Sequence, residues 1–83
     1  MDRKAILTDY VKNEIMHNRN AILEVNQDLI ETGILDSLGI LQLISHIGEV
    51  FGIDIPDEDV VFENFMSINA IDNYLQNNFN PRA

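Results

Sequence analysis

Asp36-Ser37-Leu38-Gly39-Ile40-Leu41-Gln42-Leu43-Ile44-Ser45-His46-Ile47-Gly48-Glu49-Val50-Phe51-Gly52 has the spacing of a single amphipathic helix. At 100° per residue, Ile40, Leu43, Ile44, Ile47, Val50 and Phe51 share one arc, the width of a core-facing stripe. Ser37 is of the residue type that caps helix starts, Asp36 adds negative charge beside the same end, and Gly52 supplies the stop. Leu38 and Leu41 fall outside the apolar arc and are expected to be partly exposed. Ser45 and Gly48 lie on the same side as Ser37, with Gln42 and Glu49 just beyond.

Outward from this helix the chain divides into further segments. Toward the N-terminus, Ile6, Leu7, Tyr10, Val11 and Ile15 keep a three-and-four spacing, so a first helix is expected over residues 3–17, capped by Asp2 and stopped by Asn18-Arg19-Asn20. Residues 18–36 have no clean period and form a long loop. Ile22, Leu23, Val25, Leu29, Ile30, Ile34 and Leu35 require it to lie across the core. Toward the C-terminus, Pro56 disfavours a helical Ile55, and Asp57-Glu58-Asp59 opens a short helix through Val60 and Val61. Ser67 then caps a last helix carrying Ile68, Ile71, Tyr74 and Leu75. The expectation is one all-α domain over residues 1–83, a bundle of three longer helices and one short one, with residues 1–2 and 80–83 frayed.

Composition narrows the function. The chain has 83 residues, 46% of them hydrophobic, and no Cys, so helix packing alone must hold the fold. Residues 1–27 balance Arg3, Lys4, Lys12 and Arg19 against Asp2, Asp9, Glu14 and Glu24. The net charge of −9 therefore falls on residues 28–83, where Arg82 is the only base. Without a basic stripe there is no means of binding nucleic acid, and an anionic membrane surface would repel the chain. A basic protein partner would attract it. The start of the chain is broken by charges, so a cleaved leader and a membrane span are not expected, and a cytoplasmic monomer is the default.

No catalytic constellation is legible. His17 and His46 lack metal-ligand spacing, no metal site is expected, and both read as satisfied surface histidines. His46 falls opposite Ser37 on the wheel, so it offers that hydroxyl no local base. Asp54, Asp57, Glu58 and Asp59 lack the ligand alternation, Gly and closing Glu of a calcium loop. Ser37 itself is an ordinary cap when Asp-Ser-Leu is read alone, and its surroundings change that reading.

Asp28-Leu29, then Gly33-Ile34-Leu35-Asp36-Ser37-Leu38, then Leu41, Leu43 and Ile47, then Phe51-Gly52-Ile53-Asp54-Ile55-Pro56-Asp57-Glu58-Asp59, Asn64-Phe65, Ser67-Ile68 and Ala70-Ile71 together resemble the acyl carrier protein family, including its peptidyl carrier domains. The resemblance runs from the long loop into the last helix. It implies that a phosphopantetheinyl transferase, using coenzyme A and Mg²⁺, places a 4′-phosphopantetheine arm on Ser37, with Asp36 helping to position the serine and the metal. The arm would hold acyl or aminoacyl groups as thioesters, loaded by a ligase and passed among acyl-processing enzymes. The carrier itself would catalyse nothing. Leu38, Leu41, Gln42, Ser45 and Glu49 would form the docking face, and the bundle interior is a candidate space for a short acyl chain. Gln42 and Gly48 stand where fatty-acid-synthesis carriers often have glutamate, and Glu49 is the only acid from Ser37 to Phe51. That favours a polyketide, nonribosomal peptide or modified-lipid pathway. A general fatty-acid carrier and an unmodified structural or interaction module are the alternatives.

Overall fold

The computed structural model describes residues 2–79. Four α-helices carry it: α1 (Arg3–Tyr10), α2 (Ser37–Phe51), α3 (Phe62–Phe65) and α4 (Ile68–Phe79), with a π-helical extension at Val11–Ile15 and a 3₁₀ turn at Asp57–Asp59. Among the described residues there is no strand, in keeping with the all-α expectation, and no helix is long and apolar enough to cross a membrane. Met1 and residues 80–83, expected to fray, lie outside the described residues.

Asp2 caps α1 by accepting a hydrogen bond from the Ala5 amide at 3.3 Å. The first helix does not continue regularly to residue 17 as its spacing implies. From Val11 it widens, with the Met16 amide donating to the Val11 carbonyl at 2.8 Å, and it stops at His17, whose φ of 56° is left-handed. α1 is tied to α2 where Tyr10 stacks on His46, with ring centroids 3.9 Å apart, and where the Tyr10 hydroxyl donates to the Gln42 carbonyl at 3.2 Å. His46 is therefore not the surface histidine expected. Its Nε2 is buried and has no hydrogen-bond partner among the described residues.

The long loop does cross the core, pinned to the start of α4. The Leu29 amide donates to the Met66 carbonyl at 2.7 Å, and the Asn69 amide to the Val25 carbonyl at 2.9 Å. The Asp28 carboxylate closes a turn by accepting from the Ile30 and Glu31 amides. These bonds place Leu29 and Leu35 fully inside. Ile22 and Val25 break the expectation that all the loop's apolar residues are covered. Ile22 is 87% exposed, because the anchoring contacts begin only after it.

Leu43 and Ile47 of α2 pack with Leu7, Val11, Phe65, Ile71 and Leu75 in a core closed to solvent. Val50 was expected in the same stripe but is 40% exposed. It sits at the edge of the apolar arc in the last helical turn, just before Gly52 ends α2 with a φ of 69°. Asp72, on the buried side of α4, is paired with Arg3 at 2.5 Å, which ties the first helix to the last.

The short third helix also differs from its expected form. Asp57–Asp59 makes only 3₁₀ bonds, Val60 and Val61 leave helical geometry, and a separate turn, α3, follows. Asp59 is held at this break by one bond from the last helix and one local bond. The Tyr74 hydroxyl donates to the Asp59 carboxylate at 2.6 Å, and Asn64 Nδ2 donates to the Asp59 carbonyl at 2.8 Å. Ser67, by contrast, caps α4 as expected, its hydroxyl accepting from the Ala70 amide at 3.0 Å.

Two stability predictions follow from this packing. Leu43→Ala leaves a cavity beneath α2 and is expected to cost about 2–5 kcal/mol in urea denaturation. Burial, the hydrogen bond to Asp59 and the charges of Asp59 and Glu58 raise the Tyr74 hydroxyl above its ordinary 10.0. The unfolded chain therefore loses that proton first, and stability falls as pH rises past about 10. Tyr74→Phe should lower stability by about 1–2 kcal/mol at neutral pH and make the alkaline decline shallower, both measurable by the same denaturation.

Candidate functional site

The start of α2 puts a serine hydroxyl in solvent beside a fixed carboxylate. Asp36, not Ser37, is the capping residue: its backbone is extended, and its Oδ1 accepts from the Gly39 amide at 2.8 Å while its carbonyl accepts from Ile40 at 2.8 Å. Ser37 is thus the first helical residue, one place further in than its residue type implies. A cap's side chain is turned back onto the helix amides, whereas a side chain at the next position is free to point outward. Ser37 is exposed, and the shift leaves its hydroxyl unused by capping.

Gly39 makes this arrangement possible. It is buried, and a Cβ there would lie 3.1 Å from Leu35 Cδ1, 3.3 Å from Asp36 Oδ1 and 3.9 Å from Ile15 Cδ1. The missing side chain lets the end of the first helix, the loop and the capping carboxylate close on the first turn of α2. In the sequence Gly39 stood only as a neighbour of the serine motif, and nothing local marks it as a packing position.

The proposed docking residues share one side of α2. Leu38 is 65% and Leu41 60% exposed, and Gln42, Ser45 and Glu49 are exposed along the same face. Two clefts flank Ser37 and its helix turn. One, of about 440 Å³, is walled by Ile30, Leu35, Ile40, Val60, Val61 and Phe62 and reaches Asp36 and Ser37. The other, of about 400 Å³, is more polar and brings Glu14, His17 and Gln42 to Asp36 and Leu38. Val60, Val61 and Phe62 were not legible as site residues, since they lie more than twenty residues after Ser37 and meet its cleft only in the folded chain. Exposure of Phe62 by 50% and of Val61 by 43% is the structural signal. No group of three or more His, Cys, Asp or Glu side chains among the described residues is arranged to hold a metal ion. His46 faces α1 and is no base for Ser37.

The first-turn amides of Ser37 and Leu38 have no intrahelical acceptor, and the helix dipole adds positive character at this end. An outward hydroxyl at such a terminus, with an apolar cleft beside it, fits a phosphodiester-linked arm. The fold and the site define a small helical carrier domain. The sequence matches the family profile described as Phosphopantetheine attachment site over residues 6–75, and the chain belongs to that family. A domain of this family implies a covalently attached 4′-phosphopantetheine, whose thiol supplies thioester chemistry; such carrier domains are generally non-catalytic.

Solved structures agree. A chain in the crystal structure of an FAD-dependent dehydrogenase superposes with a TM-score of 0.72 at 28% identity, covering 82% of this chain and 96% of that one. A chain in the crystal structure of Bradyrhizobium japonicum glycine:[carrier protein] ligase complexed with glycylated carrier protein gives 0.70 at 25% identity, covering 86% and 95%. No curated protein sequence matches.

The cap geometry carries its own prediction. Asp36→Ala is expected to cost about 1 kcal/mol in urea denaturation by freeing the Gly39 amide, whereas Asp36→Asn retains an accepting oxygen and most of that stability.

Proposed function

We propose that Ser37 carries the 4′-phosphopantetheine arm and that the chain holds acyl or aminoacyl groups as thioesters for a dedicated set of enzymes. The observation that carries this reading is the exposed Ser37 hydroxyl at the first position of α2, one residue after the capping Asp36. In transfer, the hydroxyl oxygen attacks the β-phosphorus of coenzyme A, forming a phosphodiester as the bond to 3′,5′-adenosine diphosphate breaks and the serine proton leaves to solvent or a transferase base. This chain contributes the oxygen, its outward aim and the positive helix end that favours the resulting anion. Asp36 keeps its cap through Oδ1 and presents its carboxylate toward the transferase's Mg²⁺.

A dedicated pathway is supported by α2 itself, where Glu49 is the only acid from Ser37 to Phe51 and the exposed positions near Ser37 are Leu38, Leu41, Gln42 and Ser45. Apolar contact and shape, rather than charge along this helix, then select partners. The similarity to a chain from a carrier–ligase complex with a glycyl cargo supports loading by an acyl- or aminoacyl-activating ligase. The chain works as a monomer, leaving each enzyme after use.

Incubation with coenzyme A, Mg²⁺ and a broad-specificity phosphopantetheinyl transferase should add one pantetheine phosphate by intact mass. Ser37→Ala should abolish the gain. Absence of any gain with several transferases would overturn the carrier reading in favour of an unmodified module. Adenylating ligases offered amino acids and short acids would then show which cargo the thiol accepts.

A further inference from the structure

We propose that the segment from Asp54 to Glu63, and not α2, carries the charge-reading half of partner recognition, and that it receives an enzyme surface whose apolar socket is bordered by Lys or Arg. This rests on the carrier reading above and names the chemistry of its partners.

The charge is displaced from the helix that bears Ser37. Five acids (Asp54, Asp57, Glu58, Asp59 and Glu63) lie between Gly52 and Ser67 with no Lys or Arg among them, whereas α2 has Glu49 alone. Asp59 is engaged with Tyr74 at 2.6 Å, but Asp54, Asp57, Glu58 and Glu63 are exposed. Apolar surface accompanies them: Val61 and Phe62 are exposed by 43% and 50%, and both wall the cleft that reaches Ser37. An apolar contact bordered by fixed acids, continuous with the attachment site, is complementary to a socket rimmed by cations.

The segment is also held in place before any partner arrives. The Tyr74 and Asn64 bonds to Asp59 lock the 3₁₀ turn to α4 and α3. Asp57 and Glu58 therefore project from a braced turn instead of a free loop, which reduces the ordering cost of docking.

The test uses the whole chain and the transferase reaction, followed by intact mass, with KM and kcat for the carrier measured at low and high salt. Asp57→Asn with Glu58→Gln should raise KM about fivefold at low ionic strength with kcat unchanged. The difference should vanish near 0.5 M salt, as expected on the order of magnitude for two screened rim charges. Phe62→Ala should raise KM at both salt concentrations, and Glu49→Gln, which removes the one acid of the docking helix, should raise it at low salt by less than the double variant does. Equal KM for the double variant and the parent at low salt, or a larger effect from Glu49→Gln, overturns the proposal while leaving the carrier reading intact. No mass gain on the parent chain overturns the carrier reading, and this inference falls with it.

Discussion

Leu43 and Ile47 are closed to solvent on the inner side of α2, while Ser37 and Leu38 at the head of the same helix remain exposed. Everything else in the molecule serves this division. Burial of the inner stripe fixes the helix against α1, α3 and α4 by the hydrophobic effect. A rigidly held helix then gives its first turn a fixed direction, which a loop of the same sequence would not have. Capping by Asp36 completes the constraint, because it satisfies a terminal amide without using the serine.

The contacts around that first turn come from distant parts of the chain. Ile15 arrives from the widened end of the first helix and Leu35 from the long loop, and both meet at the empty Cβ position of Gly39. The loop is brought there by its bonds to Met66 and to Asn69 near the start of α4, and α4 is brought to α1 by the Arg3–Asp72 pair. A site made of a single serine and its neighbour thus depends on every helix. That suits a carrier domain, which has to present one group reproducibly.

Charge and apolar surface are distributed on different principles. α2 presents leucines and neutral polar groups, and the acids follow it in the connector and around α3. Since exposed charges act at longer range than apolar contact, in the proposed recognition the acidic flank acts on approach and the leucine face on fit. The cleft walled by Val60, Val61 and Phe62 connects the apolar part of that flank to Ser37.

Much of this was legible in one dimension. The periodicity of Leu43 and Ile47, the Gly52 stop, the Ser67 cap and the exposure of Leu38 and Leu41 are local properties, set by helical geometry and residue chemistry, and the structure agrees with each. The motif around Ser37 was equally local. What remained hidden depended on partners far away in sequence. Capping preference is nearly the same for Asp and Ser, so packing around Gly39 selects Asp36 as cap and leaves Ser37 outward. Asp59, where the chain turns out of helical form before Val60 and Val61, is held by Tyr74 from the last helix. Local propensity thus determined where the second and last helices and the serine lie, whereas hydrogen bonding and close packing decided the form of the short third helix, which way that serine points and what surrounds it.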